Sequence, residues 1–396
     1  MKKFLNKLRS QRKNIILSLI IAMVISFVCY LMNNCPYPYW DSLDKFCWME
    51  YIVSNTIDEK FDRSDALFVN VSYDKAVAEY TYSNGNLKGT VNITNRETLI
   101  KFLKVMEQTN VYKYIFLDIR FEKGVETPAD AELFSLISRM RDVSYSAHSD
   151  LENNENADPQ KAALNDYFTT ITSTNFTRYQ FIQNGTVSAP LRIYLSIDSA
   201  NNKPITQFGP FFVSNGRLCQ NSPFVRIPED FYEGHGYEGH QNYYDLGPVL
   251  LDMNDENDWI YDTKDKIVIV GDFVNDLNDT YIGLQPGSYL VYLAYKELAA
   301  GKHFVSWPFI CFMIIVYVLI SMFILNRQTL WAYIPFLKNI KNRFVLLVLD
   351  MIGYSAVLVA ITIVFFFFFK TTYNIFFPSL FFSILTLLIS NKYISK

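Results

Sequence analysis

The sequence predicts an α/β domain held outside a membrane, its mixed, largely parallel sheet flanked by helices, together with four transmembrane helices. Three observations predict it. Four long apolar runs sit at the chain ends, one near the N-terminus and three closing the chain. Charge divides between the parts. Of the 39 acids, 38 lie in residues 33–306 with 23 of the 36 basic residues, a formal −15; the remainder carries 13 basic residues against Asp350 alone, a formal +12. Finally, strand and helix signals alternate through the acidic part. A chain that is 50% hydrophobic and 16% aromatic with mean hydropathy +0.08 fits neither an ordinary soluble domain nor an all-membrane protein. Long disorder, a disulfide-dense mini-domain and a DNA-binding protein are excluded at this level.

Residues 1–13 form a tail with six basic residues and no acid. Residues 14–32 (NIILSLIIAMVISFVCYLM) carry no charge and approach the ~20 residues a helix needs to cross hydrocarbon. The run exceeds the ~7–15 residues of a signal-peptide core and no A-x-A site follows, so an uncleaved anchor is expected. The other spans are 307–325, 344–369 and 373–390. The 326–343 loop contains Arg327, Lys338, Lys341 and Arg343 without an acid, and the 391–396 tail is basic. The positive-inside bias then places both termini and this loop in the cytoplasm, with 33–306 and the 370–372 turn outside. Asp350, the one acid within a span, lies about a turn and a half from the cytoplasmic end. There Arg343 or headgroup water would reach it, a simpler reading than a proton relay. Cys35, Cys47 and Cys219 face the outer side; a Cys35–Cys47 disulfide is one option that the sequence leaves open. The four histidines show no zinc-ligand spacing with these thiols.

Within 33–306, ALFVNVSY (66–73) is a strand. EYTYSNGNLKGTVNIT (79–94) alternates around Asn84-Gly85 as a hairpin. Asn95 caps a helix whose Leu99, Phe102, Leu103 and Met106 recur at helical spacing. VYKYIFLDIRF (111–121) is the next strand. A helix over 127–142 opens on Thr127-Pro128. Residues 151–160 read as a polar surface loop. The 166–262 stretch offers short strand candidates, YQFI, LRIYLSI and QFGPFFVS, and a His-containing loop at 234–244 in which His235 and His240 read as exposed. KDKIVIVGDF (264–273) is a buried strand, 274–287 an acidic loop, and 288–302 a helix closing on Gly301.

Three elements carry a resemblance to the CHASE2 family of extracytoplasmic sensor domains. They are I-F-L-D-I-x-F at Ile115–Phe121, the Asp130 to Leu133 segment soon after, and K-I-V-I-V-G-D-F followed by Asp279-Thr280, Pro286-Gly287, a helix and Gly301-Lys302. The layout of one span before the domain and three after is similar too; residues 140–260 contribute little. A hairpin around Asn84-Gly85 replaces the family's Trp-Pro-Arg-rich stretch. The usual cytoplasmic output domain after the last span is not seen. The resemblance implies a sensor in a bacterial cytoplasmic membrane, pairing with a second copy through its spans and signalling to a separate cytoplasmic or membrane partner.

Acids recur at predicted strand ends: Asp74, Asp118, Asp272, then Asp276 and Asp279. Ligands of open α/β sheets bind beyond the carboxyl ends of strands. Asp118, Asp272 and Asp279 are therefore the expected ligand-binding residues, for a divalent cation or a cationic small molecule, unless each is only a solvated turn acid or cap. Whether they hold a metal is left open, and no cofactor is indicated. No G-x-S-x-G elbow or Walker phosphate loop is present, so an enzyme is not expected. A metal-dependent hydrolase built on the acids and a non-switching envelope scaffold are the alternatives. A nucleic-acid partner does not fit a domain of charge −15, and the basic ends suit a lipid bilayer.

Overall fold

The computed structural model describes residues 2–34, 61–82, 86–148, 154–170, 173–183, 185–199, 201–232, 242–252, 262–326, 342–369 and 375–391. Cys35, Cys47, the Asn84-Gly85 turn, His235, His240 and most of the 326–343 loop lie outside them. The chain divides into two compact units, one holding the apolar terminal helices and the other most of residues 47–303.

The first unit contains α1 (Lys2–Asn33). Its other helices come at the far end of the chain, after those of the globular unit. In the globular unit β1 (Ala66–Asn70) leads to a hairpin, β2 (Lys75–Thr81) and β3 (Leu87–Thr94), and then to α2 (Arg96–Thr109). β4 (Tyr114–Asp118), α3 (Asp130–Arg139), β5 (Val143–Ala147) and β6 (Ala162–Leu164) follow. Short elements come next: β7 (Tyr167–Thr170), β8 (Ser173–Tyr179), β9 (Ile182–Gln183), β10 (Thr186–Val187), α4 (Ala189–Ile197), β11 (Thr206–Phe208), β12 (Phe211–Ser214) and β13 (Arg217–Cys219). The unit closes through β14 (Tyr244–Asp245), α5 (Leu246–Asp252), β15 (Ile267–Gly271), β16 (Leu277–Thr280), β17 (Gly283–Pro286) and α6 (Gly287–Ala299).

The central sheet has the order β14-β1-β15-β4-β5-β6, and all its pairings are parallel. Its middle strands ALFVN, YIFLD and IVIVG are near-continuous apolar runs because both faces are covered. On one face Leu67, Val69, Ile115, Leu117, Val268 and Val270 pack with Leu99, Phe102, Leu103 and Met106 of α2 and Leu133, Phe134 and Ile137 of α3. On the other, Phe68 meets Phe273, Tyr289 and Tyr292 edge to face. Asn95 caps α2 as expected, its Oδ1 accepting from the backbone N–H of Glu97 (3.0 Å) and Thr98 (3.2 Å).

Three readings are corrected. LRIYLSI is not a strand but lies in α4, which opens on Ser188-Ala189-Pro190 with the proline in its first turn; Leu191 and Ile193 are buried there. The 274–287 acidic segment is largely the β16–β17 hairpin, with Asp279 paired to Leu284. The helix expected over 127–142 is regular only from Asp130 to Arg139. Before it, Thr127 N–H still donates to Asp130 Oδ2 (2.8 Å), half of a capping box.

The terminal unit is completed by α7 (Trp307–Leu325), α8 (Arg343–Phe369) and α9 (Phe376–Asn391). Among the described residues, three stretches are long and apolar enough to cross a membrane: Arg12–Asn33, Trp307–Leu325 and Phe344–Val364. The fourth expected span is shorter. The 16 residues of α9 reach about 24 Å at 1.5 Å per residue, against a hydrocarbon core of about 30 Å. Serine and threonine on α9 turn inward: Tyr354 and Thr386 hydroxyls are 2.9 Å apart, and Ser379 and Ser383 donate back to carbonyls one turn earlier. Asp350 is 4% exposed within this unit.

Candidate functional site

The register of the parallel strands sets the site. Asn70, Gly271 and Asp118 pair across β1, β15 and β4, so three strands end level with one another. Asp272 follows directly, and His148 follows β5. Beyond this edge lies a cavity of about 500 Å³ lined by Asp118, Asp272, Asp276, Lys75, Arg120 and His148, among other residues. Its position is where an open α/β sheet offers a crevice, and its size is within the ~300–1,000 Å³ common for small-molecule sites.

Asp118 is held from two sides. Asn165 Nδ2 donates to its Oδ1 (2.6 Å) and Ser288 Oγ to its Oδ2 (2.7 Å). Burial nevertheless pushes its pKa up, against these hydrogen bonds and the nearby His148. Gly271 makes the Ser288 contact possible. A Cβ on Gly271 would come to 2.0 Å from Ser288 Oγ and 3.3 Å from Asp118 Cβ. Asn165 also accepts from Tyr179 OH (2.5 Å), extending the chain of hydrogen bonds to the cavity wall.

Asp272 behaves oppositely. Partial burial works against its charge. Hydrogen bonds from Ser72 Oγ, the Asn275 backbone and side chain, and Lys75 Nζ (3.1 Å) outweigh that and hold its carboxyl well below the usual range. Asn70 braces this corner: its Oδ1 accepts from Ser72 N (3.1 Å) and Phe273 N (3.1 Å), while its Nδ2 donates to Asp245 Oδ1 (2.7 Å).

Asp276 keeps contact with solvent although protein crowds it. That crowding, then the charges of Asp118 and Asp272, push its pKa up to about 6, with His148 and Arg120 pulling the other way. Among the described residues its carboxylate accepts no hydrogen bond. His148 Nδ1 lies 3.1 Å from Asp166 Oδ1. Arg96, on the cavity wall, forms a buried ion pair with Asp130 (3.4 Å) and lies over the Phe121 ring at 4.4 Å.

Two of the three sequence-predicted residues, Asp118 and Asp272, thus meet at the cavity, joined by Asp276. Asp279 does not line it: the strand pairing of β16 points it outward, where it is exposed. Asp74 is elsewhere too, accepting from Gly247 N (3.2 Å). Sequence reasoning missed Asn165, Ser288, Arg120, His148 and Asn70. Asn165 and His148 follow short strands in the stretch whose pattern was weakest. Asn70 carried a usable signal, a polar residue closing an apolar strand. No group of three His, Cys, Asp or Glu side chains among the described residues is arranged to hold a metal ion.

No family model matches the chain, and neither a curated protein nor a solved structure does.

Proposed function

We propose that this chain is a membrane-anchored extracytoplasmic sensor of the CHASE2 type: its α/β unit binds a small ligand in the cavity and the spans relay the occupancy to a separate partner. The observation that carries this reading is the cavity itself, a charged crevice at the carboxyl ends of the central strands, in a chain with three membrane-length apolar helices among its described residues. The connection to the membrane supports relay. Ser288, which holds Asp118, is in the first turn of α6, and only residues 300–306 separate the end of that helix from α7. A ligand that favours one position of Ser288 would bias the helix leading to the span, by no more than its differential affinity for the two states. In this reading residues 33–306 face outward, both termini are cytoplasmic, and the bilayer is a bacterial cytoplasmic membrane.

The test is hydrogen exchange on the full chain in lipid nanodiscs, with and without medium components that raise its apparent unfolding temperature. The expected result is altered exchange in α6 together with residues 300–306 and the start of α7. Protection confined to the cavity walls would overturn the relay.

A further inference from the structure

We propose that the cavity is built for a small organic zwitterion, a free amino acid or a close relative, its ammonium toward Asp118 and Asp276 and its carboxylate toward Arg120 and Arg96. This deepens the ligand-binding reading above and rests on it.

Charges of both signs line one cavity, and they fall into two groups. Some neutralise each other: Lys75 with Asp272 (3.1 Å), and His148 with Asp166 (3.1 Å) when the ring is protonated. Others do not. Arg120 and Asp276 both line the cavity with exposed side chains, and the charge of Arg120 acts on Asp276, yet no ion pair or side-chain hydrogen bond occupies either among the described residues. Two opposite charges in one crevice, too far apart to pair with each other, suit a ligand that carries the complementary two. An ammonium gives charge-assisted hydrogen bonds to carboxylates, and a guanidinium takes a carboxylate through a planar fork.

Arg96 supplies a second, independent observation. Its side chain is 3% exposed and borders the cavity, but its Nη1 has no hydrogen-bond partner. Its Nη2 donates to the backbone carbonyl of Arg120 (3.3 Å), so the two guanidinium-bearing residues are tied at one wall. A buried donor without an acceptor costs free energy that a ligand carboxylate at that wall would recover.

The competing ligand chemistries fit less well. A divalent cation needs a shell of hard oxygen ligands. No three metal-type side chains converge among the described residues. A simple anion would meet Asp118, Asp272 and Asp276. A pure amine would leave Arg96 Nη1 and Arg120 without an acceptor. The cavity of about 500 Å³ exceeds what the charged ends of an amino acid need, and Val71, Ile119, Phe176 and Leu290 offer apolar surface to a side chain.

The experiment uses the full chain in lipid nanodiscs. The probes are the standard L-amino acids and glycine betaine, each beside the amine that lacks the carboxylate and the acid that lacks the amine. Apparent unfolding temperature is read first, then affinity by calorimetry. The expected result is that at least one zwitterion binds, that both single-charge controls bind at least about tenfold more weakly, and that Arg120→Gln and Asp276→Asn each cost at least about tenfold in affinity. Both variants must retain the parent's far-ultraviolet circular dichroism, so that a loss of fold is not read as a loss of affinity. Amine controls that bind as tightly as the amino acid, with Arg120→Gln silent, would overturn the proposal in favour of an organic cation. If no zwitterion binds but another medium component does, and Asp276→Asn weakens it, the zwitterion is wrong and the sensor reading stands. If no compound binds at all, both fall.

Discussion

Two carboxylates of the globular unit, Asp130 and Asp276, meet their surroundings in opposite ways. Asp130 is fully buried. It accepts from Thr127 N and Asn154 Nδ2 (2.8 Å each) on one oxygen and faces Arg96 with the other. Arg96 is at the N-terminus of α2, where a helix dipole disfavours a cation, and Asp130 is at the N-terminus of α3, where it favours an anion. The pair joins the two helix starts behind the sheet edge. Among the described residues Asp276 has no such partner, and the charges of Asp118 and Asp272 act against its own. The Asp130–Arg96 pair, which borders the cavity through Arg96, is neutralised within the fold, whereas Asp276 at the same cavity has no ion-pair partner among the described residues. The proposed ligand site rests on that difference.

The contrast breaks most readily at the neutralised pair. Asp130→Ala leaves Arg96 buried without its counter-charge and should lower the unfolding free energy of the globular unit by about 3–5 kcal/mol. Asp130→Asn, which keeps an acceptor for Thr127 and Asn154, should cost less. Urea unfolding of the full chain in detergent, followed through the aromatic signal, measures both. A cost for Asp130→Ala below about 1 kcal/mol would mean that the pair is not structural.

Gly271→Ala strikes the other side of the comparison, where backbone space rather than charge is limiting. The added methyl would overlap Ser288 Oγ and approach Ser288 Cβ to 3.0 Å. The expected cost is about 1–3 kcal/mol from overpacking, together with loss of the Ser288–Asp118 hydrogen bond. Ser288→Ala removes that bond without the clash and should cost less than Gly271→Ala. Equal costs would show that the hydrogen bond, not the close approach, fixes this glycine.

The sequence made the sheet legible where pattern and burial agree. ALFVN, YIFLD and IVIVG could only be strands covered on both faces, and Asn95 announced α2. It misled where short apolar runs have no decisive period. LRIYLSI mixes β-branched and helix-forming residues, and Pro190 together with burial of Leu191 and Ile193 settles it as helix. The site was half legible for the same reason. Asp118 and Asp272 could be placed because their strands could be placed. Asn165 and His148 could not, because their approach to Asp118 depends on β5 lying beside β4 and β6 beside β5 in the sheet. Asp279 was placed wrongly because its segment reads as a loop, while the β16–β17 pairing turns it to solvent.

Asp276→Asn sharpens the comparison through pH. The carboxyl titrates from 3.8 in the unfolded chain and near 6 in the folded one, raised by crowding and by Asp118 and Asp272 against His148 and Arg120. Below about 3.8 both states hold the proton and the group costs nothing. As pH rises toward 6 the unfolded chain loses its proton first, so stability falls through this window and the penalty is complete above it. Asn carries no such penalty. The variant should therefore unfold at a higher temperature than the parent at pH 7.5, with the difference shrinking to nothing by pH 4. A difference independent of pH would mean that folding leaves the Asp276 carboxyl unshifted.

Asp279→Asn should have the smallest effect. Its side chain is exposed on β16, borders no part of the cavity and is paired through its backbone with Leu284. Surface changes away from special contacts stay within about 0.5 kcal/mol, and ligand affinity should match the parent within error in the same calorimetric titration. Since Asp276 lies only three residues earlier, the pair of variants separates local from long-range charge. An Asp279→Asn chain that loses affinity as Asp276→Asn does would show that the acidic segment acts through its summed field. Unchanged affinity would assign the effect to Asp276, which lines the cavity, rather than to the segment's summed charge.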